Sequence, residues 1–177
     1  KKNDRDQKLL KFEQYCLNDL RKYSNSQNII IPNVINYFEY DNKEFLLLDW
    51  IDLNNHNQKK LGKGIAEIHL NSNKKKPNKF GYPITGFIGT TKQIKGWESN
   101  WVDCFIKLRI EPQLSLLKHS SISINLTNQI TSKIKAHLLN HEAMNCLIHG
   151  DLWSGNISTG NLEKGVIFDP SCWWADS

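Results

Sequence analysis

The segment "LIHGDLWSGN", Leu147 to Asn156, places a short aliphatic run directly before a cluster of polar side chains. Asp151 and Asn156 stand five positions apart in it, and the aliphatic run in front of them predicts a strand. A second aliphatic run, "GVIF", precedes Asp169, and the turn residues "TGN" lie between the two runs. The pattern predicts that two carboxylates and one carboxamide, carried on neighbouring strand ends, converge on one point.

Oxygen-bearing side chains in this arrangement suit a hard cation such as Mg²⁺, which takes few protein ligands together with waters and phosphate oxygens. A carboxylate left off the metal can accept the proton of a hydroxyl group. The spacing matches a phosphoryl-transfer site, although Gly150 and Pro170 replace the Arg and Phe found at those positions in protein kinases. The alternative is an ordinary turn, in which Asp and Asn accept hydrogen bonds from backbone N–H groups.

Composition allows one hydrophobic core or two small lobes, because 39% of the 177 residues are hydrophobic. The formal net charge of +5 favours anionic partners such as nucleotide phosphates or nucleic acid. The densest basic run, Lys74–Lys76 followed by Lys79, contains one nearby aromatic residue and is interpreted as a solvated loop. We therefore expect no nucleic-acid partner.

Cysteine usage and hydropathy indicate where the protein works. The four cysteines stand far apart without a C-x-x-C pair, which argues against zinc and a disulfide framework. Reduced thiols are typical of the cytoplasm, which is the expected location. No apolar run reaches the roughly 18 residues that a membrane-spanning helix needs, so no membrane partner is expected. The abrupt ends of the chain suggest a fragment.

Hydrophobic periodicity predicts an α+β protein. Helical spacing predicts helices over 4–23 and 57–70, another from Trp97 that is kinked or broken at Pro112, and one through "LTNQITSKIKAHLLN". The runs "VINYFEY" and "EFLLLDW" around "DNK" predict an antiparallel hairpin within 28–52. Residues 71 to about 95 are predicted to be a long irregular stretch.

Two long blocks carry a family resemblance. The strings "HGDLWSGN" and "VIFDPSCWWAD" resemble the fructosamine kinase (ketosamine-3-kinase) family, a branch of the aminoglycoside phosphotransferase and choline kinase superfamily. The block "FGYPITGFIGTTKQIKGWESNWVDCFIKLRIEPQL" is similar to that family's segment with G-x-x-Q-x-N-x-W and R-L-x-P-Q-L. "FLLLDWIDL" resembles the family's hinge strand, and "LGKGIAEIHL" its L-G-x-x-L-A-x-L-H helix. The chain departs from the family at Trp173 and Trp174, which replace two tyrosines, and at Ala175, which replaces glycine.

The resemblance implies a bilobal, protein-kinase-like fold of the aminoglycoside phosphotransferase type. Residues 1–52 would form part of the N-terminal lobe, and residues 53–177 part of a mostly helical C-terminal lobe with the catalytic loop. The glycine-rich hairpin that covers the phosphates would precede Lys1, and further helices would follow Ser177. The fold is therefore expected to be truncated at both ends.

The resemblance also implies roles for the polar residues of the two loops. Asp151 would be the base that takes the proton of a sugar hydroxyl, and His149 would brace the catalytic loop. Asn156 and Asp169 would hold Mg²⁺ against the phosphates of ATP. A buried, hydrogen-bonded histidine without a catalytic role is compatible with the same position.

On the nucleotide side, Lys1 would be the phosphate-contacting lysine and Glu13 its ion-pair partner. A frayed terminus and a solvated helix glutamate are the alternatives for these two residues. Asp49, Trp50 and Ile51 would form the hinge, whose backbone groups would meet adenine.

On the acceptor side, the resemblance places four residues near the substrate. Trp153 would offer a flat face to the sugar or its amine, or would simply fill the core. Gln93 and Trp97 belong to the second family block and would line the acceptor site. Arg109 would line it too, or would pair with a carboxylate on a neighbouring helix.

The implied activity is ATP-dependent phosphorylation of a ketosamine, a sugar joined to an amine, on its 3-hydroxyl. Such a reaction would serve deglycation repair. Another acceptor of the superfamily, such as an aminoglycoside or a choline-like amine, stays open, and so does a non-catalytic nucleotide-binding relative. An aminoglycoside enzyme would need an acidic acceptor pocket, and the sequence shows none.

Overall fold

The computed structural model describes residues 8–54, 58–117 and 124–177. Five α-helices lie in these ranges: α1 Leu9–Tyr23, α2 Lys59–Asn73, α3 Trp101–Phe105, α4 Glu111–Leu116 and α5 Ile124–Leu138. The strands are β1 Ile29–Ile30, β2 Val34–Tyr40, β3 Lys43–Leu48, β4 Phe80–Tyr82, β5 Gly86–Ile88, β6 Thr91–Gln93, β7 Gly96–Glu98, β8 Asn145–Ile148, β9 Ile157–Thr159, β10 Gly165–Ile167 and β11 Trp173–Asp176. The predicted α+β class is confirmed. Among the described helices, none has both the length and the apolar character needed to cross a membrane.

Helix α1 buries the predicted apolar face, with Phe12, Cys16 and Leu20 all removed from solvent. The helix starts at Leu9, and the part of the prediction that falls on residues 4–7 lies outside the described residues. The side chain of its N-cap residue, Lys8, makes no capping hydrogen bond. The Glu44 carboxylate on β3 instead accepts hydrogen bonds from the N–H groups of Leu10 and Lys11, at 3.2 and 3.1 Å. This carboxylate satisfies two of the unpaired donors of the first turn and joins α1 to the hairpin.

The predicted hairpin is confirmed as β2 and β3, which pair antiparallel from Val34 to Tyr40. Asp41 and Asn42 link the strands with φ values of 49° and 57°. Two consecutive residues with positive φ are typical of the type I′ turn, whose twist matches that of the strands. The turn residues Asp41 and Asn42 therefore fix the register in which the two strands pair.

The helix predicted over 57–70 forms as α2, Lys59–Asn73, and the part of the prediction that falls on residue 57 lies outside the described residues. Gly64, which weakens the helix in isolation, is required by packing. A Cβ atom there would lie 2.5 Å from the Cβ of Ile29, so only glycine lets α2 approach β1 this closely.

The prediction of a long irregular stretch over 71–95 is wrong. Helix α2 continues to Asn73, and the short strands β4, β5 and β6 occupy much of the remainder. Strand β4 pairs with β11 and β7, while β5 and β6 form a separate hairpin. Strands of three residues carry too little alternation to be recognised in sequence, and β4 also depends on a distant partner, since its Gly81 pairs with Trp174 of β11.

The helix predicted from Trp97 begins four residues later. Trp97 lies in β7, and the helix begins at Trp101, where the Asn100 side chain accepts a hydrogen bond from the Asp103 N–H at 2.9 Å. Pro112 does not end the helix: one π-helical turn, Ile106–Ile110, joins α3 to α4. A π turn is a frequent way to absorb local disruption within a helix.

The strands on either side of the loop 149–156, β8 and β9, lie in two different sheets. The order β7-β4-β11-β8 forms one sheet and β1-β10-β9 the other. Ile148 pairs with Trp173 in the first sheet, and Ile157 pairs with Ile167 in the second. The loops 149–156 and 168–172 therefore run side by side from one sheet to the other. The core beneath them includes the fully buried side chains of Leu17, Leu20, Ile29, Ile68, Leu147 and Ile167.

Candidate active site

Backbone hydrogen bonds hold the two loops together. The Ser171 N–H donates to the His149 carbonyl oxygen at 2.8 Å, and the Phe168 N–H donates to the Asn156 carbonyl oxygen at 3.2 Å. The Ser171 hydroxyl also donates to the Phe87 carbonyl oxygen at 2.6 Å. Because both loops are tied at two points, the side chains that they carry are held in a fixed relation.

Gly150 lies at the closest approach of the loops. It adopts φ +81°, and a Cβ atom there would lie 1.9 Å from the Ser171 carbonyl oxygen. Any other residue would need both a strained backbone and separation of the loops. This contact gives a physical reason for glycine between His149 and Asp151.

Gly150→Ala is accordingly expected to destabilise the protein by about 2–4 kcal/mol, from strain and a backbone clash. Urea unfolding followed by tryptophan fluorescence measures this. Gly62→Ala is the matched control, because a Cβ atom at Gly62 in α2 would meet nothing within 4 Å. That variant should be neutral or slightly more stable, since alanine favours helix over glycine by up to about 1 kcal/mol. Equal stability of the two variants would contradict the packing described for Gly150.

Asn156 links the two predicted carboxylate residues. Its buried side-chain amide Nδ2 donates to the Asp151 carbonyl oxygen at 2.9 Å and approaches the Asp151 Oδ2 at 3.2 Å. The same nitrogen lies 3.4 Å from the Asp169 carbonyl oxygen. Asp151, Asn156 and Asp169 are thus together, and Asn156 Oδ1 is the amide atom that could act as a metal ligand.

His149 is buried beneath the loop and makes two hydrogen bonds. Its Nε2 lies 3.0 Å from the Phe168 carbonyl oxygen, and its Nδ1 lies 3.3 Å from the Asp151 N–H nitrogen. A neutral ring that donates from Nε2 and accepts at Nδ1 satisfies both contacts. Burial lowers the pKa of His149 from 6.5 to about 4, against the smaller opposing effects of the Phe168 hydrogen bond and the Asp151 charge. The histidine therefore stays neutral at physiological pH and fixes the Asp151 backbone.

The lowered pKa of His149 predicts a pH dependence of stability. Between pH 6.5 and 4 the unfolded chain binds a proton at this position and the folded chain does not, so folding is destabilised as the pH falls. From pH 7 to pH 5, wild type should lose about 2 kcal/mol more than His149→Gln, which cannot titrate. Denaturant unfolding of both proteins at the two pH values measures the difference.

The carboxyl group of Glu13, whose pKa is raised to about 7, changes stability with pH in the opposite direction, but it is present in both proteins. Parallel pH profiles would show that His149 is not held neutral.

Three carboxylates surround a cavity of about 190 Å³ whose lining includes Glu13, Asp151 and Asp169. Burial raises the pKa of Asp169, and the Asp151 charge raises it further. Burial, followed by the charge of Asp169, raises the pKa of Glu13 to about 7. Within 8–54, 58–117 and 124–177, none of the three forms an ion pair with a basic side chain. The cavity is therefore strongly electronegative, as a cation site requires.

A second cavity of about 330 Å³ adjoins the first, because Glu13 and Asp169 line both. Asp49, Trp50 and Ile51 lie on its wall, together with Val166 and Phe168. The structure thus brings five of the six residues predicted for nucleotide binding to one cavity: Glu13, Asp49, Trp50, Ile51 and Asp169. The sixth, Lys1, lies outside the described residues, and so does its predicted pairing with Glu13.

A third cavity, of about 360 Å³, has Gly150 in its lining together with Gln93, Arg109 and Trp173. Two of the predicted substrate residues, Gln93 and Arg109, therefore share one cavity. Trp97 and Trp153 do not line it. The Trp153 side chain is 59% exposed and packs over Gly155, so it does not fill the core. Substrate roles for Trp97 and Trp153 stay predictions.

Sequence reasoning missed three contributors to this site. Ser171 and the Phe168 carbonyl hold the loops and the His149 ring, and they act mainly through backbone atoms that no motif marks. Trp173 forms a wall of the third cavity and carries the Arg109 guanidinium on its ring. Its position within "DPSCWWAD", one of the strings that carry the family resemblance, was the available signal.

An aspartate and an asparagine five residues apart, facing a second aspartate across a strand–turn–strand unit, have the arrangement that is typical of phosphoryl-transfer sites in kinase-like folds. Solved structures share this fold. A crystal structure named "putative fructosamine-3-kinase" from Haemophilus somnus superposes with a TM-score of 0.81 at 24% identity, covering 95% of this chain and 56% of that one. A second, from Thermobifida fusca, gives 0.73 at 21% identity, covering 94% of this chain and 56% of that one.

The chain belongs to the fructosamine kinase family, whose model matches residues 1–177. A protein of Escherichia coli named "Probable ketoamine kinase YniA" is 32% identical over 160 residues, which are 89% of this chain and 54% of that protein. A similarly named protein of Vibrio vulnificus is 29% identical over 172 residues, or 95% of this chain and 58% of its own length. The Arabidopsis thaliana "Protein-ribulosamine 3-kinase, chloroplastic" is 32% identical over 135 residues, covering 73% of this chain and 41% of that protein. The chain spans little more than half the length of the bacterial relatives.

Proposed function

We propose that the protein transfers the γ-phosphoryl group of ATP to the 3-hydroxyl of a ketosamine, as a step in deglycation repair. The observation that carries this proposal is the convergence of Asp151, Asn156 and Asp169 beside two adjoining cavities. Membership of the fructosamine kinase family supports the choice of acceptor.

Asp151 is the proposed base. In the reaction, the acceptor oxygen bonds to the γ-phosphorus, the bond from that phosphorus to the ADP oxygen breaks, and Asp151 takes the hydroxyl proton. The Asn156 amide donates to Asp151 and holds its carboxylate in place. His149 fixes the backbone of the same residue from below. A base that is positioned from two sides can raise the rate by about 10²–10⁴-fold.

Asn156 and Asp169 are the proposed ligands of Mg²⁺. One amide oxygen and one carboxylate suit this ion, which keeps its remaining positions for waters and phosphate oxygens. Burial raises the pKa values of Asp169 and Glu13, and the charge of a neighbouring aspartate raises both further. A divalent cation would offset that charge. When bound, Mg²⁺ would neutralise charge on the phosphates of ATP.

The second cavity is the proposed adenine site. Its hinge wall offers backbone groups of Trp50 and Ile51, because the Asp49 N–H already donates to the Asn33 carbonyl oxygen at 3.1 Å. The Asp49 carboxylate also accepts a hydrogen bond from the Asn33 N–H, which holds the hinge against the start of the hairpin. Lys1 is proposed to reach the phosphates with Glu13 as its partner.

The third cavity is the proposed acceptor site. Gly150, which precedes Asp151 in the chain, lines it, and we propose that a hydroxyl held there faces Asp151, which lines the 190 Å³ cavity. Among the described residues, none that lines it is acidic. A polycationic aminoglycoside would lack the negative partners that it needs, so this lining disfavours that class of acceptor.

We place the reaction in the cytoplasm. All four cysteines, Cys16, Cys104, Cys146 and Cys172, are buried and free, as expected for a reducing compartment.

The proposal is tested by coupled measurement of ADP release with ribose- and glucose-derived ketosamines of lysine, in the presence of Mg²⁺. Turnover with a new phosphate on the 3-oxygen, located by ³¹P–¹H NMR, is the expected result. Choline and kanamycin serve as comparison acceptors. Turnover of either of these without turnover of any ketosamine would keep the kinase and discard the acceptor assignment.

A further inference from the structure

Arg109 is a half-buried cation that has no acidic partner in the described part of the chain. Its Nη1 donates to the Leu108 carbonyl oxygen at 2.8 Å and to the Ile94 carbonyl oxygen at 3.3 Å. Its guanidinium carbon lies 3.8 Å from the centre of the Trp173 ring. Burial lowers the pKa of Arg109 to about 10, so the group still carries its charge at neutral pH.

Two acidic side chains close to Arg109 in the sequence, Glu98 and Asp103, form ion pairs with Lys107 instead. Lys107 forms ion pairs with Glu98 at 3.0 Å and with Asp103 at 3.6 Å. A guanidinium removed from water without a counter-charge costs free energy, and carbonyl hydrogen bonds offset only part of that cost. If Arg109 only bound these two carbonyl groups, part of this free-energy cost would stay uncompensated.

The two carbonyl contacts also leave much of the guanidinium unused. Both run through Nη1, whereas an arginine presents several further N–H donors in a planar fork. Arg109 lines the proposed acceptor cavity, and within 8–54, 58–117 and 124–177 no residue that lines it is Asp or Glu. The planar fork, the missing counter-charge and the open cavity are together the features of a carboxylate-binding arginine.

We infer that Arg109 binds a carboxylate of the acceptor, and that the preferred acceptors are ketosamines of free amino acids. This inference rests on the proposed function and narrows its substrate. In such a molecule the α-carboxylate stands close to the amine that carries the sugar. Gly150 and Arg109 both line this cavity, and Asp151 follows Gly150 in the chain. We therefore expect a small molecule whose carboxylate binds Arg109 to lie with its sugar hydroxyl toward Asp151. A ketosamine on a lysine within a protein lacks this α-carboxylate, because both backbone groups are in peptide bonds.

The test compares the fructosamine of glycine with the fructosamine of glycinamide, which differ only in the charged carboxylate. We expect the wild-type protein to bind the glycine compound about tenfold or more tightly by calorimetry, as a charge-assisted hydrogen bond allows. In turnover, the preference should appear in KM while kcat is similar for the two compounds. Arg109→Gln should bind the two compounds within about twofold of each other, and Arg109→Lys should recover part of the preference.

Lys107→Gln is the matched control, because it removes an exposed cation from the same helical run and should keep the wild-type preference. Equal binding of the two compounds by wild type, or an undiminished preference in Arg109→Gln, would overturn the inference. The wild-type comparison decides the matter even if Arg109→Gln fails to fold. A calorimetric preference that depends on Arg109, without ADP release on any ketosamine, would keep the carboxylate site and remove the proposed reaction.

Discussion

Asp151→Asn is expected to lower kcat for phosphoryl transfer to a ketosamine by about 10³-fold, while changing the affinity for ATP by less than about threefold. The asparagine has nearly the same shape as the aspartate and can still accept the hydrogen bond that Asn156 donates at 3.2 Å. It cannot take the proton of the acceptor hydroxyl. The loss should therefore fall on the chemical step, which single-turnover ADP release measures directly.

Ser154→Ala provides the control for this prediction, because Ser154 is an exposed residue of the same loop. Its kcat should stay within about twofold of wild type, as is usual for exposed positions. Equal turnover by Asp151→Asn and wild type would remove Asp151 as the base. It would also require another group in the 190 Å³ cavity, such as Glu13, to take its place.

Asp169→Asn is expected to have the second largest effect, a loss of about 10²-fold in kcat/KM at low Mg²⁺ concentration. The substitution removes one charge from the proposed metal ligands and keeps the shape of the side chain. Part of the activity should return as Mg²⁺ is raised, because a weakened site can still be filled by mass action. A titration of activity against Mg²⁺ for both proteins measures the shift.

Glu163→Gln is the control for charge, since Glu163 is an exposed carboxylate in the connection between β9 and β10. Its Mg²⁺ titration should superpose on that of wild type. A wild-type Mg²⁺ dependence in Asp169→Asn would show that Asp169 does not bind the metal.

The features that could be predicted from the sequence are those determined by residues close together in the chain. The hairpin followed from two aliphatic strands and the positive-φ pair Asp41 and Asn42. The meeting of Asp151, Asn156 and Asp169 followed from polar residues placed directly after short aliphatic strands. In both cases the local pattern and the final structure agree, as is typical of a sequence that folds to one state.

The features that could not be predicted depend on partners distant in sequence. Helix α1 takes its N-terminal cap from Glu44, 33 and 34 positions along the chain from the N–H groups that it accepts. The strands β4 to β7 are too short to show alternation and are defined by pairing with each other and with β11. The π turn before Pro112 depends on how a whole helix accommodates a missing N–H.

Arg109 shows the same limit within the site. The sequence left two roles open, substrate contact or pairing with a carboxylate on a neighbouring helix. Within the described residues, the structure pairs Glu98 and Asp103 with Lys107 and places Arg109 on the Trp173 ring, without an acidic partner. Only the arrangement of these side chains in space argues against the pairing of Arg109 with a carboxylate.

The most direct test of the account is a crystal structure of the protein with Mg²⁺ and a non-transferable ATP analogue. We predict one Mg²⁺ coordinated directly by Asn156 Oδ1 and an Asp169 carboxylate oxygen, with the Asp151 carboxylate left off the metal and facing the acceptor cavity. The adenine should lie against the wall formed by Asp49, Trp50 and Ile51. A metal bound away from Asn156 and Asp169, or a nucleotide bound outside these adjoining cavities, would contradict the account.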